Sequence, residues 1–327
     1  MARVFSGIQP TGDVHLGNYL GAVRRWAADQ HVNDAIFCIV DLHAITIPKD
    51  PGELRAKTVE LAGLLMAAGL DPEVCTLFVQ SHVHEHAELG WIMECTASYG
   101  ELQRMTQFKE KGEQARFISA GLFTYPALQA ADILLYDTDK VPVGDDQRQH
   151  LELARDIAIR FNSRYGEGTL VVPEHVIAAV GARVMDLQNP TAKMSKSIDS
   201  PQGTVLVLDP PDVINKKIKR AVTDTDGEVR YDPEGKPGVS NLLTILGVAT
   251  GTDPTVLADR YTQYGPLKSD TADALVELLR PLQERNRELT TDPAQITKAL
   301  ERGAEKAQSI AVTTLARVKD RLGLLPR

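Results

Sequence analysis

The sequence predicts an α/β fold: a doubly wound parallel sheet of the Rossmann type, followed by a smaller C-terminal helical domain. Nearly continuous apolar runs, typical of strands buried on both faces, occur at Arg3 to Ile8, Ala35 to Val40 and Thr76 to Gln80. Between the last two, Leu54, Leu61, Leu65 and Ala68 fall on one helical face. This alternation predicts βαβ units, which bind ligands outside the carboxyl ends of their strands.

The second half of the chain favours helices. Apolar stripes at helical spacing run from Leu275 to Leu282 and from Ile310 to Leu322, whereas Thr223 to Ser240 is rich in glycine and proline and indicates a loop. We therefore predict a catalytic domain over residues 1–190 and a helical domain over residues 191–327.

Composition indicates a soluble globular protein. The chain has 327 residues, 43% of them hydrophobic, and no apolar run approaches the roughly 20 residues of a membrane span. The first residues lack the order of a secretory signal, so we expect a cytoplasmic protein without membrane association. The net charge of −8 argues against indiscriminate nucleic-acid binding but allows a local basic face for RNA.

Several reactive or charged residues have an ordinary structural interpretation. We interpret Cys38, Cys75 and Cys95 as small core residues, since they form no C-x-x-C pair. The alternating histidines from His82 to His86 suggest a metal site, but a polar surface turn is the simpler interpretation, and we predict no metal ligands. The basic run from Lys216 to Arg220 is a solvated helix surface, or alternatively a set of phosphate contacts.

A glycine-rich loop from Gly7 to Asn18 follows the first predicted strand. Its three glycines permit positive φ and close backbone approach, and a helix beginning near His15 would present free N–H groups to phosphate. An ordinary β-to-α turn is the alternative, because this loop has neither of the usual nucleotide-binding glycine patterns.

A lysine-rich segment lies near the predicted domain junction. Lys193 and Lys196, three residues apart on a loop, can neutralise the charge that grows on a leaving pyrophosphate. Taken alone, two such lysines are more often solvated surface.

Together, the two segments resemble the signatures of class I aminoacyl-tRNA synthetases. His15 to Asn18 stands where that family has HIGH, and Lys193 to Ser197 matches KMSKS. Further segments resemble the bacterial tryptophanyl branch of the family, in which Asn18 is usual; they are Phe5 to Gly12, Arg104 to Lys111, Ala130 to Tyr136 and Val141 to Gln147.

The resemblance implies an ATP site and a catalytic set. The implied ATP-binding residues are Gln9, Pro10, Thr11, Gly17, Asn18, Gly144, Asp145, Asp146, Val184, Lys193, Met194, Ser195, Lys196 and Ser197. The implied catalytic residues are Lys193, Lys196, Lys111 and Asn18. Asp145 and Asp146 also have a structural interpretation, because acids stabilise the start of a helix such as that predicted from Leu151 to Phe161.

The resemblance also implies an amino-acid site. Asp132 would accept the indole N–H of tryptophan, Tyr125 and Gln147 would hold its ammonium group, and Gln129 would lie against the indole where relatives have Met. A helix cap or internal salt bridge is the structural alternative for Asp132. A buried carboxylate needs a donor, so such a site rejects substrates that lack one.

The implied activity is that of a tryptophan–tRNA ligase. The tryptophan carboxylate attacks the α-phosphorus of ATP, giving tryptophanyl-adenylate and pyrophosphate, and the aminoacyl group then passes to tRNA(Trp). ATP is a substrate, with Mg²⁺ bound through its phosphates, and the family is homodimeric. A tyrosyl-tRNA synthetase and an inactive synthetase-like RNA-binding protein are the alternatives.

Overall fold

Five parallel strands form the centre of the molecule in a computed structural model that describes residues 1–105, 118–143, 147–177, 183–194 and 201–326. Their order in the sheet is β3-β2-β1-β4-β5. The strands are β1 (Arg3–Ile8), β2 (Asp34–Ile39), β3 (Thr76–Val79), β4 (Lys140–Val143) and β5 (Glu174–Ile177). The chain moves from β1 outward to β3 and then continues with β4 and β5 on the other side of β1. Doubly wound sheets bind ligands at such a switch point.

Helices connect these strands and make up most of the C-terminal half. A π-helical segment, Tyr19–Val23, joins the first two helices. The helices that precede β4 are α1 (Leu16–Asn18), α2 (Arg24–Asp29), α3 (Asp41–Ala44), α4 (Pro51–Ala67), α5 (Glu85–Thr96), α6 (Tyr99–Gln103) and α7 (Ala120–Leu134). Those that follow it are α8 (Arg148–Tyr165), α9 (Pro211–Lys219), α10 (Pro237–Thr250), α11 (Pro254–Ala258), α12 (Tyr264–Thr291) and α13 (Pro293–Leu322).

The predicted fold class is confirmed, with small shifts at element ends. The first strand has the predicted limits, and the second and third differ by one residue. The loop predicted up to Ser240 ends earlier, because Pro237 starts α10 at a position where a missing N–H costs nothing. The division into domains at residue 190 stays a prediction.

Each face of the sheet has its own core. Side chains alternate along β2, so that Phe37 and Ile39 face one core and Ile36 and Cys38 face the other. The first core contains α4 and the helices α9 to α12, and the second contains α5, α7 and α8. The helical C-terminal half therefore contributes directly to the packing of the sheet.

The last helix covers an edge of the sheet. α13 packs along β3, the outer strand, and contributes Ile296 and Leu300 to one core and Ala311 and Leu315 to the other. Gly303 lies against the backbone of β3, where no side chain would fit. An uncovered edge strand is a template for aggregation, so this contact protects the sheet as well as stabilising it.

The three cysteines differ in their exposure to solvent. Cys38 and Cys75 are buried as predicted, but the prediction for Cys95 is wrong, because that cysteine is exposed on α5.

Among the described residues, none of the helices combines the length and the hydropathy that crossing a membrane requires.

We predict that Gly303→Ala destabilises the fold. The added Cβ would overlap the Leu77 carbonyl oxygen, and overpacking of this kind costs about 1–3 kcal/mol in the free energy of unfolding. Gly265→Ala is the matched control, since its Cβ meets nothing within 4 Å and alanine favours a helix. Urea unfolding of both variants checks this; equal midpoints would contradict the close packing of α13 on β3.

Candidate active site

The glycine-rich loop leads into a helix start that is capped by its own side chains. His15 is the N-cap residue, and its Nδ1 accepts a hydrogen bond from the Asn18 backbone N–H at 3.3 Å. The Asn18 side chain in turn accepts from the His15 N–H at 3.5 Å. Gly12 has the predicted positive φ of 70°, whereas Gly7 lies within β1. The π-helical segment that follows is a feature enriched at functional sites.

A second segment pairs with this helix start. We call residues 204–209 the strap. Its Val205 carbonyl accepts from the Leu16 N–H at 2.8 Å, and its Val207 N–H donates to the Val14 carbonyl at 3.0 Å. The two segments therefore run antiparallel, and His15 and Leu206 form a β-bridge between them.

The lysine-rich segment also lies near this helix start. The Met194 N–H donates to the Val184 carbonyl at 3.1 Å, and both side chains are buried. A Cβ built on Gly17 would lie 3.7 Å from the Cβ of Met194, so the two signature segments lie close together. Lys193 is exposed beside them, whereas Ser195, Lys196 and Ser197 lie outside the described residues.

Asp132 is a buried carboxylate held by three side chains from other elements. It is 1% exposed. Its Oδ1 accepts from Gln80 Nε2 at 2.6 Å and from His86 Nδ1 at 2.7 Å, and its Oδ2 accepts from His43 Nε2 at 2.7 Å. A carboxylate has about four acceptor positions, so Oδ2 keeps capacity for one further donor. The alternative of a cap or salt bridge within its own helix is wrong.

The surroundings keep Asp132 ionised. Burial by itself raises the pKa, but the charge and hydrogen bond of His43 and then the hydrogen bond of His86 outweigh it, so the pKa of Asp132 lies below its ordinary value. This lowered pKa contributes stability that is present above the ordinary pKa of aspartate and is lost as the pH falls towards the lowered one.

A hydrogen-bonded chain orients His86. Burial raises the pKa of the Tyr136 hydroxyl, which therefore stays protonated and donates to His86 Nε2 across 2.7 Å. The proton on Nδ1 is then available to Asp132, so Tyr136 selects the tautomer of His86 that serves the carboxylate.

One face of α7 gathers the predicted amino-acid residues. Tyr125, Gln129 and Asp132 are spaced by four and three residues, which places them on one side of the helix. The Tyr125 hydroxyl lies 2.7 Å from His150 Nε2, and Gln147 is the N-cap residue of α8. These positions are compatible with the implied site, while Lys111, Gly144, Asp145 and Asp146 lie outside the described residues.

Sequence reasoning missed the residues that support Asp132. His43 and Gln80 follow the carboxyl ends of β2 and β3, the edge at which ligands bind, so their position in a βαβ pattern was the available signal. The surface-turn interpretation is wrong for His86, which is fully buried. Phe78 and Tyr136 pack on its ring within 5.8 Å, and sequence spacing does not reveal such a contact.

The basic run on α9 is not uniform. Lys216, Lys219 and Arg220 are exposed, as predicted. The surface interpretation is wrong for Lys217, which is 8% exposed and lies 2.7 Å from Asp209 Oδ2. The helix turns Lys217 to the side that also carries Ile214 and Ile218, both in the core.

Comparison with known proteins extends these observations over the whole chain. A family model described as "tRNA synthetases class I (W and Y)" matches residues 1–280. Tryptophan–tRNA ligase 1 of Streptomyces coelicolor is 55% identical, over 100% of this chain and 98% of that protein.

Solved structures agree with the sequence comparison. A tryptophanyl-tRNA synthetase from Mycoplasma pneumoniae has a TM-score of 0.92 and 39% identity, covering 99% of this chain and 98% of its own. The Campylobacter jejuni enzyme complexed with ADP and tryptophan has a TM-score of 0.85 and 34% identity, covering 98% of this chain and 100% of its own. With a capped helix start packed against a lysine-rich segment, and with matches over nearly its full length, the chain belongs to the class I tRNA synthetases of the tryptophan and tyrosine group.

Proposed function

We propose that this protein is a tryptophan–tRNA ligase. It activates L-tryptophan with ATP, forming tryptophanyl-adenylate and pyrophosphate, and then transfers the tryptophanyl group to the terminal ribose of tRNA(Trp). The observation that carries the proposal is the close approach of Met194 to Gly17, because it brings Lys193 and Met194 near the capped helix start. Two segments that meet in this way can bind one triphosphate between them.

The roles at the nucleotide follow from position and charge. Gln9, Thr11, Gly17 and Asn18 hold ATP on the first loop, beside the positive end of the helix start. Lys193 and Lys196, with Lys111, balance the charge that accumulates on the leaving pyrophosphate. Gly144, Asp145 and Asp146 take the ribose, and Val184 lies beside the adenine. No side chain forms a covalent bond, so catalysis consists of positioning and electrostatic stabilisation.

Magnesium enters as part of the substrate. Mg²⁺ bridges phosphate oxygens of ATP and offsets their charge, and Mg²⁺ commonly binds proteins through substrate phosphates in this way. The first loop offers neutral groups, since its one acid, Asp13, is paired with Lys57 at 2.6 Å. We therefore assign no protein ligand to the metal.

The amino-acid pocket is proposed to lie along α7. The free acceptor position on Asp132 Oδ2 receives the indole N–H, while Tyr125 and Gln147 hold the ammonium group and Gln129 lies against the ring. The carboxylate is held in place before the substrate arrives, so little reorganisation is needed on binding. A phenolic hydroxyl is also a donor, and Asp132 alone therefore does not separate tryptophan from tyrosine.

The preference for tryptophan over tyrosine is supported by the relatives. The Streptomyces coelicolor protein, at 55% identity, is named for tryptophan, and the Campylobacter jejuni structure contains tryptophan and ADP. The deciding experiment is exchange of pyrophosphate into ATP with tryptophan, with tyrosine and without amino acid. Exchange with tyrosine alone would favour the tyrosyl enzyme, and no exchange would favour an inactive RNA-binding relative.

We further propose a cytoplasmic homodimer that binds tRNA(Trp) through the helical region of residues 191–327. Large apolar side chains on α5 and α6 support a second copy as partner, since Trp91 is 67% exposed and Tyr99 is 70% exposed. Sedimentation velocity tests this: we expect a dimer that Trp91→Glu weakens, and a monomeric wild type at micromolar concentration would contradict it.

Lys196→Ala is predicted to slow adenylate formation much more than it weakens tryptophan binding. Loss of one preorganised cationic contact to the leaving group lowers the rate about 10²- to 10³-fold. Single-turnover kinetics with a separate tryptophan titration measure the two effects. Lys298→Ala, an exposed lysine on α13, is the control, and equal losses of rate and tryptophan affinity would refute the role in leaving-group stabilisation.

Asp132→Asn is predicted to impair tryptophan use selectively. The amide replaces a charged acceptor and directs N–H groups at donors from His43, Gln80 or His86, so kcat/KM for tryptophan falls about 10- to 100-fold. The KM for ATP should change little. Asp156→Asn, an exposed aspartate on α8, serves as control, and unchanged tryptophan kinetics in the Asp132 variant would exclude a role in substrate recognition.

A further inference from the structure

A buried lysine on α9, Lys217, binds both ends of the strap. Lys217 Nζ donates to the Thr204 carbonyl at 2.8 Å and to Asp209 Oδ2 at 2.7 Å, which joins the two ends of the strap through one ammonium group. Lys217 is 8% exposed and Asp209 is 9% exposed. A buried ammonium group is stable only with such partners, so the strap and α9 are fixed relative to each other.

The same carboxylate also organises the strap from within. Asp209 Oδ2 accepts a hydrogen bond from the Leu206 N–H at 2.8 Å, and the Asp209 N–H donates back to the Leu206 carbonyl at 3.1 Å. From α12, Gln283 Nε2 donates to the carbonyls of Val207 at 2.9 Å and Asp209 at 3.0 Å. Side chains from two C-terminal helices therefore hold one short segment.

The opposite edge of the strap carries the nucleotide loop. Its backbone pairs with Val14 and Leu16, and these residues flank the capped helix start at His15. Upstream, the Gly203 carbonyl accepts from the Leu187 N–H at 2.9 Å, which ties the strap to the segment that leads into Lys193. A displacement of the strap would thus move the helix start against the lysine segment.

We propose that Lys217 and Asp209 are positioning residues for adenylate formation, assisted by Gln283. They act on ATP through the strap, and they set how the helix start and the lysine segment face one triphosphate. The proposal rests on the proposed function, because it concerns the same nucleotide site. It separates Lys217 from the other basic residues of the run, Lys216, Lys219 and Arg220, whose side chains are exposed.

Lys217→Met tests the proposal, with Lys216→Met as matched control one residue away on the exposed side of α9. For Lys217→Met we expect ATP affinity, measured by calorimetry, to fall about tenfold and the adenylation rate to fall about as much, the size of effect that one lost positioning contact produces. The KM for tryptophan should stay within about twofold, since the side chains that hold Asp132, namely His43, Gln80 and His86, come from other elements than the strap. The control should match the wild type in all three quantities.

Two further variants separate positioning from stability. Asp209→Asn combined with Lys217→Met leaves no unpaired buried charge, so its unfolding midpoint should exceed that of Lys217→Met alone. Its ATP affinity and adenylation rate should nevertheless remain low, because no ammonium group joins the two ends of the strap. Gln283→Leu removes two strap contacts without changing charge and should shift the ATP parameters in the same direction by a smaller factor.

The outcomes distinguish this proposal from the ligase assignment. Equal ATP affinity in the Lys217→Met and Lys216→Met variants would overturn the role of the strap, as would a double variant that recovers both stability and adenylation. ATP affinity does not depend on which amino acid is activated. A wild-type protein that binds ATP but shows no tryptophan-dependent exchange would therefore contradict the ligase assignment alone.

Discussion

The antiparallel pairing between residues 14–16 and residues 205–207 is the interaction on which the proposed nucleotide site depends. It joins parts of the chain that are almost two hundred residues apart. Backbone hydrogen bonds suit this purpose, because they are directional and costly to leave unmade in a buried setting. This pairing holds the helix start, and Met194 of the lysine-rich segment lies close to Gly17 beside it.

The proposed amino-acid pocket depends on a buried charge, the carboxylate of Asp132. Asp132 is ionised in the interior because three donors from separate elements satisfy it. The orientation of Gln80 is itself set by the Leu42 N–H, which donates to Gln80 Oε1 at 3.1 Å. Such a network has few alternative arrangements, and under the proposed function its remaining acceptor position would discriminate between substrates with and without a donor.

The helical C-terminal half is an integral part of the catalytic fold. Helices α9 and α12 support the strap, and α13 covers the edge of the sheet at β3, where Gly303 permits close approach. Buried contacts therefore connect this half of the chain with the strap and with the sheet. In an acidic chain of net charge −8, Lys217 is retained in the interior, and the basic residues beside it remain on the surface.

The first three strands, the helix between the second and third of them, a helix start near His15 and the lysine segment were readable from the sequence. They depend on local patterns of apolar spacing, glycine and charge. Tertiary structure alone decided that His86 and Lys217 are buried, that Cys95 is exposed and that His43 and Gln80 serve Asp132. Each of these depends on contacts between residues far apart in the chain, and a buried polar side chain is recognisable only once its partners are in place.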